Sequence, residues 1–532
     1  MQKNTSGGIL NAILLGLATF LIVKYFFASK PADRAIEGRE DLSGQVFQAP
    51  VSNLEARKLN KEIDFIDKKI PSGDQEIFVA TSLCEYTFSP NGAVLSGLDF
   101  KENRGPEGDF IRTVYNRQFE EREQGCFLLA MDEKTPYVYK FLGVDSKNGK
   151  HIVSFQTEVD GWQIRKSFEL NDYEYDIKVS LSFEPKNGVK TIRPRLFVPG
   201  PFSGSISEDK INGIVSGLDK ASLNKVTDAQ EHDFGWKLPA IFGAEDKYFL
   251  HSFHGISDES FVERAYYKRF NNRGLFSIFE CRKISKSSSV TMKFYFGPKT
   301  IYDLEASDER LKNVLSFGWF SKLMILLLSF LEYLFGFLGN YGMAIMLLAL
   351  LIKLAFLPLT LLARRKASEV MAVEARYAGE IRSINLRYKN DFLKRSESIA
   401  TFYREHGISQ LGKMAGTIPL LLQAPFFISL YYGLRSYIAL YQANFLWLSD
   451  LSSKDPFFIL PVILGVFMLM QQQTSPIIDQ KVKWMTYMMP LVVVAVMANF
   501  PAGAVLYWTS NTVLMLGEEQ IMRLIFGKIK RI

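Results

Sequence analysis

Cysteine is almost absent from this chain of 532 residues, which has only Cys84, Cys126 and Cys281. An odd number at irregular spacing excludes a disulfide framework and a zinc-binding set, leaving buried free thiols as the expectation. Histidine is also scarce, with five. The closest pair, His251 and His254, would face opposite sides of a strand, so no metal site is expected. There is no phosphate-cradling glycine loop, no serine–histidine pair and no metal-ligand set, which excludes ATP hydrolysis and proteolysis as readings. The net charge of +7 is modest. The basic residues form no stripe with interleaved aromatics, so nucleic-acid binding is a poor reading. Nothing calls for a cofactor.

What is present is uneven along the chain. From about Lys30 to Asn313 there are charges, Gly/Asn turns and segments that alternate with period two. From about Leu315 onward Leu, Ile, Phe and Met dominate, and 13 of the 16 methionines fall after residue 320. In the first region HIVSFQTEV and WQIRKSFEL are separated by Asp160-Gly161, a strong hairpin signal. YEYDIKVSLSF and SVTMKFYFGP read as further strands. Many strands at short spacing predict a large all-β sandwich over residues 30–313, linker included, whose role is to space or dock something. Before it, ILNAILLGLATFLIVKYFF reads as an uncleaved membrane anchor within residues 1–29 rather than a removed signal peptide.

The second region predicts an α-helical polytopic membrane core over residues 341–532. Spans are expected at Tyr341–Leu362, Thr417–Leu440, Phe457–Met470, Met485–Phe500 and Ala502–Leu524. With the anchor these make six, so both termini lie on one side. Arg364 to Lys413 holds eleven Lys/Arg against six Asp/Glu, and the tail GKIKRI is basic. The positive-inside rule therefore puts the termini and the 364–412 segment in the cytoplasm, and the β domain outside. That segment reads as a helical hairpin, with a first helix from about Ala367 to Arg387 and a second capped by Asn390 or Asp391. It is either a solvated hairpin or a docking platform. Residues 314–340 have only nine uncharged residues between Lys322 and Glu332, and read as an amphipathic helix lying in the outer interface.

One lysine interrupts MLLALLIKLAFLPLT. Lys353 stands twelve residues from one end of a 22-residue apolar run and nine from the other, roughly 14–18 Å from either end of a helix. An ammonium group at that depth costs at least ~2.5–3.5 kcal/mol and needs a compensating environment. The other spans carry polar groups and breakers: Gln423 beside Pro419 and Pro425, Gln471 to Gln473, Asn499, and Thr509 to Thr512. Together these predict a bundle enclosing a wet, electropositive recess around Lys353. Alternatively, Lys353 pairs with Glu518 or Glu519, as a structural or proton-relay element. A transporter or channel in which Lys353 binds an anionic solute is a further reading, and a structural assembly factor built around the β domain is a third.

Several stretches together resemble the YidC membrane-protein insertases of Gram-negative bacteria. They are LPLT (357–360), IPLLLQAPFFISLYYGL (418–434), DPFFILPVILG (455–465), TSP (474–476) and FPAGAVLYW (500–508). The resemblance implies a periplasmic sandwich similar to sugar-mutarotase folds without that activity, and five core helices around a hydrophilic groove. It implies a non-enzymatic insertase and folding chaperone of the bacterial inner membrane. Its clients would be nascent membrane proteins, and it would act alone or beside the Sec translocon. Membrane lipids are implied as partners, with ribosome or signal recognition particle docking through the hairpin. Lys353 occupies the position of the groove's key positive residue, usually arginine. Gln423, Tyr507, Trp508 and Thr509 are further groove candidates. GKMAGTIP departs from the family's usual Gly-Cys-Leu-Pro pattern, and the tail lacks a long basic extension.

Overall fold

A computed structural model describes residues 63–529, with breaks at 67–75, 105–108, 116–124, 132–133, 187–189, 203–210, 217–222, 227–234, 271–273, 316–319, 390, 408–417 and 475–479. The described residues fall into two compact units, one within Ala35–Ser316 and one within Phe317–Ile532. The anchor expected at residues 1–29 lies outside the described residues.

The described part of the first unit has seventeen strands. They are β1 (Ile77–Ala80), β2 (Cys84–Ser89), β3 (Val94–Arg104), β4 (Phe110–Tyr115), β5 (Leu128–Ala130), β6 (Lys140–Lys147), β7 (Lys150–Val159), β8 (Trp162–Asn171) and β9 (Asp176–Pro185). They continue with β10 (Arg195–Pro199), β11 (Asn212–Ser216), β12 (Leu223–Val226), β13 (Phe242–Glu245), β14 (Phe249–Ile256), β15 (Val262–Phe270), β16 (Gly274–Cys281) and β17 (Ser288–Pro298). A nine-stranded sheet runs β12-β11-β13-β14-β17-β9-β8-β7-β6, and two four-stranded sheets run β1-β2-β3-β4 and β15-β16-β10-β5. The expected hairpin is there: Val159 pairs with Trp162, and Asp160 and Gly161 both take positive φ, the geometry that matches strand twist in a two-residue turn. A short helix, α1 (Ile301–Ser307), follows β17.

Aromatic rings fill the space between the large sheet and the small ones. Phe88 lies 4.8 Å from Phe168, Phe100 4.8 Å from Phe249, and Phe253 5.2 Å from Phe279. The alternation of β8 puts Trp162, Ile164, Lys166, Phe168 and Leu170 on its buried face. Lys166 is therefore fully buried, and its ammonium donates to the carbonyls of Phe127 and Gly92. Burial pushes its pKa down to about 7. The three cysteines are buried free thiols, and burial pushes each thiol pKa up.

The two histidines of β14 turn to different partners. His254 Nε2 lies 3.2 Å from Asp176 Oδ1 and 3.4 Å from the hydroxyl of Ser307, which ties α1 to the large sheet. His251 is enclosed between sheets. Its Nε2 is 3.1 Å from Thr113 Oγ1, its Nδ1 is 3.0 Å from the Pro199 carbonyl, and its ring stacks 4.0 Å from Phe296.

In the second unit the helices are α2 (Ser321–Leu338), α3 (Tyr341–Arg376), α4 (Ala378–Arg387), α5 (Phe392–Glu405), α6 (Ile418–Ser436), α7 (Ile459–Thr474), α8 (Gln480–Met497) and α9 (Ala502–Ile529). Helices α3, α6, α7, α8 and α9 cover most of the described residues of the five apolar segments expected after residue 340. The expected break between span and hairpin is absent. Helix α3 runs on for 36 residues through Pro358, because nothing between Leu362 and Arg376 stops it. Its length, ~54 Å, exceeds a ~30 Å hydrocarbon core. The first hairpin helix is thus divided between the end of α3 and α4. The second, α5, is capped by Asp391, whose side chain accepts from the Lys394 amide at 3.0 Å. Tyr377, Phe402 and His406 close the hairpin's base, with His406 4.3 Å from Tyr377 and 4.2 Å from Phe402. Among the described helices, α2 and the Tyr341–Val370 part of α3 are long and apolar enough to cross a membrane, so the short uncharged stretch between Lys322 and Glu332 does not by itself keep α2 in the interface, while Ile459–Gln472 and Tyr487–Met497 are shorter apolar helices.

Burial pushes the His251 pKa down to about 3, against about 6.5 in an unfolded chain. The unfolded state then takes up a proton that the native state refuses. This residue's destabilisation is absent above pH 6.5 and grows as pH falls toward 3, by up to ~1.4 kcal/mol per pH unit. Hydrogen exchange of the β14 and β17 amides, corrected for intrinsic rates, is expected to lose protection over that window. His251→Gln is expected to flatten the slope by about one proton's worth. An unchanged slope would mean that His251 is protonated in place.

Candidate functional site

The site begins with how α3 and α9 are held at their first turns. Gly339, with φ 66°, closes α2, and the Asn340 side chain caps α3 by accepting from the Met343 amide at 3.1 Å. Gly342 lies under the Phe445 ring, where a Cβ would come within 2.2 Å of it. The FPAG turn delivers α9 with its first amides already paired. Ala502 N–H donates to the Ser453 carbonyl at 2.7 Å and Gly503 N–H to the Leu451 carbonyl at 2.8 Å. These are amides that a helix cannot pair within itself. Gly503 also lets α9 approach Ile345 of α3. In DPFF, Asp455 is buried and accepts from the amides of Phe457 at 3.0 Å and Leu460 at 2.7 Å, which anchors the start of α7.

With both helices fixed, Lys353 Nζ meets Glu518 Oε2 of α9 at 2.7 Å, the two side chains being 11% and 4% exposed. Lys353 stands twelve residues into α3 and Glu518 sixteen residues into α9, ~18 Å and ~24 Å from the helix starts. The lysine's compensating environment is thus a carboxylate. The site at Lys353 is an ion pair in which the lysine is the less enclosed side chain.

The remaining candidates sit higher on α9. Tyr507 is buried, with Gln423 of α6 within hydrogen-bonding reach of its hydroxyl. Trp508 packs edge-to-face on Phe427 of α6 at 4.4 Å. Thr509 is buried and turns its hydroxyl back to the Val505 carbonyl at 2.8 Å. Ser510 and Thr512 do the same, to Leu506 at 2.7 Å and Trp508 at 2.9 Å. The hydroxyls that interrupt this apolar segment are therefore satisfied on their own helix. Tyr507 and Glu518 are eleven residues apart, three turns on one face and ~16 Å along the axis, with buried Asn511 between them. Of the five expected residues, Gln423 and Tyr507 meet at one level and Lys353 meets Glu518 at another, while Trp508 and Thr509 lie on other faces of α9, against Phe427 and the helix's own backbone.

A further carboxylate, half-buried, had no signal in the sequence. Glu332 Oε1 of α2 accepts from the Tyr341 hydroxyl at 3.0 Å and also from the Tyr437 hydroxyl. It therefore faces the bundle, while Lys322, Leu326, Phe330, Tyr333 and Phe337 form the exposed face of α2. Its partners are 9 and 105 residues away, so no local spacing announces them. Glu518 was visible as one of two acids in the apolar segments. Among the described residues no cluster of metal-ligating side chains occurs.

Removing one member of a buried pair leaves the other uncompensated, a loss of ~3–5 kcal/mol, whereas removing both costs far less. Thermal denaturation of the detergent-solubilised chain is expected to show Lys353→Met and Glu518→Met each strongly destabilised. The double variant should lie closer to the native protein than either. Additive losses would dissolve the pair.

Two family models match consecutive parts of the chain, "YidC periplasmic domain" at residues 133–329 and "60Kd inner membrane protein" at residues 333–528. The membrane protein insertase YidC of Geotalea uraniireducens is 29% identical over 481 residues, covering 84% of this chain and 86% of that protein. That of Pelobacter propionicus is 26% identical over 558 residues, covering 98% of each. That of Oleidesulfovibrio alaskensis is 35% identical over 257 residues, covering 46% of this chain and 47% of its own length. The chain therefore belongs to the YidC family of inner-membrane proteins that carry a periplasmic domain.

Proposed function

We propose that this protein is a membrane-protein insertase and folding chaperone that passes nascent inner-membrane proteins along the α3–α6–α9 stripe. The observation that carries this reading is a largely enclosed lysine, Lys353, twelve residues into an apolar helix and ion-paired with Glu518, in a chain whose relatives are named insertases. In this reading the anchor, α3, α6, α7, α8 and α9 span the bilayer. Both termini then lie in the cytoplasm and the β domain in the periplasm, while α2 lies in the outer interface with its aromatic face toward lipid.

The α4–α5 hairpin receives the nascent chain, from the ribosome, the signal recognition particle or the Sec translocon. The client's polar or acidic segment is held at Lys353 part-way across the membrane. Gln423, Tyr507 and Asn511 supply hydrogen-bonding groups along its path, and Trp508 and Thr509 shape the wall. Its apolar segment then moves out between α6 and α9 into lipid, where burial stabilises it at ~0.8 kcal/mol per methylene. The membrane potential assists an acidic terminus outward by ~2.3 kcal/mol per charge per 100 mV. No bond is made or broken, and the action is non-enzymatic.

The test uses the purified chain in anionic liposomes with a short single-span substrate bearing an acidic tail. Protease protection of that tail is expected with the native protein and with Lys353→Arg, and expected to fall at least tenfold with Lys353→Ala. Protection by Lys353→Ala equal to native would remove the lysine from the mechanism. No protection by the native protein, beside a working control insertase, would end the insertase reading.

A further inference from the structure

Glu518 does more than make Lys353 tolerable in an apolar helix. An ammonium group has three donors, and the Lys353 nitrogen lies 2.7 Å from Glu518 Oε2 in an ion pair. The carboxylate is the more enclosed partner, 4% exposed against 11% for the lysine. Of the two side chains, the lysine is thus the more open to an approaching group. A client carboxylate arriving there has the same charge, geometry and donor requirement as the group already in place. We propose that Glu518 is a resident competitor for Lys353, and that a client is admitted by carboxylate exchange, so that Glu518 sets how acidic a client segment must be. The inference rests on the insertase reading given above.

The electrostatics follow from counting charges. At rest the pair sums to zero. A client segment with no acid gains nothing at Lys353 and passes the site as it would pass any neutral wall. A segment with one acid must replace an intramolecular partner that is already oriented, so its gain is small. A segment with two acids within reach keeps one carboxylate on the ammonium while the first exchanges, and effective concentration favours it over the single resident acid. Selection is thus a difference between two affinities for one cation. A lysine suits exchange better than an arginine would. Its ammonium is a compact point charge, whereas a guanidinium fork would hold a carboxylate by two parallel bonds.

A structural partner and a competitor differ in what their removal does to client choice. Three substrates identical except for zero, one or two aspartates in the translocated tail are presented to the full chain in anionic liposomes, and tail protection is scored as ratios between substrates. The native protein is expected to favour two acids over one by several-fold. In Glu518→Gln the one-acid tail is expected to rise to the level of the two-acid tail, with the neutral tail unchanged. Glu518→Asp retains a carboxylate on a shorter stem and is expected to shift the ratio the same way by less. In Lys353→Gln/Glu518→Gln all three tails are expected to be protected alike.

If Glu518→Gln lowers protection of all three tails in proportion, the acid is structural and the proposal is overturned. Should Glu518→Gln fail to fold, an Asp variant with the native ratio overturns it equally. Either result leaves the insertase reading standing, provided the native protein protects a tail. If the native protein protects none, that reading fails first.

Discussion

A cation that lies twelve residues into an apolar helix cannot be left in hydrocarbon by itself, and much of the second unit can be understood as the means of supplying its partner. Lys353 is far from both helix ends, beyond what a lysine stem can reach by snorkelling. Its carboxylate comes from a helix 165 residues later in the chain. That meeting needs α3 and α9 side by side from their first turns. Gly503 allows the approach, and the carbonyls of Leu451 and Ser453 receive the amides that α9 cannot pair within itself. The loop that carries those carbonyls is held in turn by Asp455, which also starts α7.

The same rule runs through the β unit, with different groups. Lys166 is on the buried face of β8 because strand alternation puts it there, and two carbonyls accept from it, those of Phe127 and Gly92. Both residues have positive φ, so the backbone leaves its ordinary path where the ammonium must be met. His251 has one ring nitrogen near Thr113 of β4 and the other near the Pro199 carbonyl of β10, so one side chain joins three sheets. In each case a buried polar group is tolerable because its partner is placed by strands or helices remote in sequence.

Polarity in the helices is less open than the residue names imply. Thr509, Ser510 and Thr512 return their hydroxyls to carbonyls of their own helix, which removes three donors from the α9 surface. Glu332 is closed off by two tyrosines. In the proposed function, the polar groups along the stripe among the described residues are few: Gln423 with Tyr507 at one level, Asn511 between, and Lys353 with Glu518 at the other.

Alternation and turn chemistry were legible in the residues: the Asp160-Gly161 hairpin, the strands β7, β8, β9 and β17, and the buried thiols needed only local patterns. So did the helices from Tyr341 onward, because apolar runs and a Pro-Gly turn leave the backbone little choice. The lysine's need for compensation was equally legible, being a matter of depth and dielectric. What answered the need was open between a wet recess and a carboxylate, as was the number of levels in the stripe. The continuity of α3 past Leu362, the tyrosines on Glu332 and the inward turn of the α9 hydroxyls were not visible at all. Periodicity states which face a residue occupies. Only packing decides what stands opposite that face, because a contact such as Lys353 with Glu518 depends on how two helices meet and on nothing in the sequence around either residue.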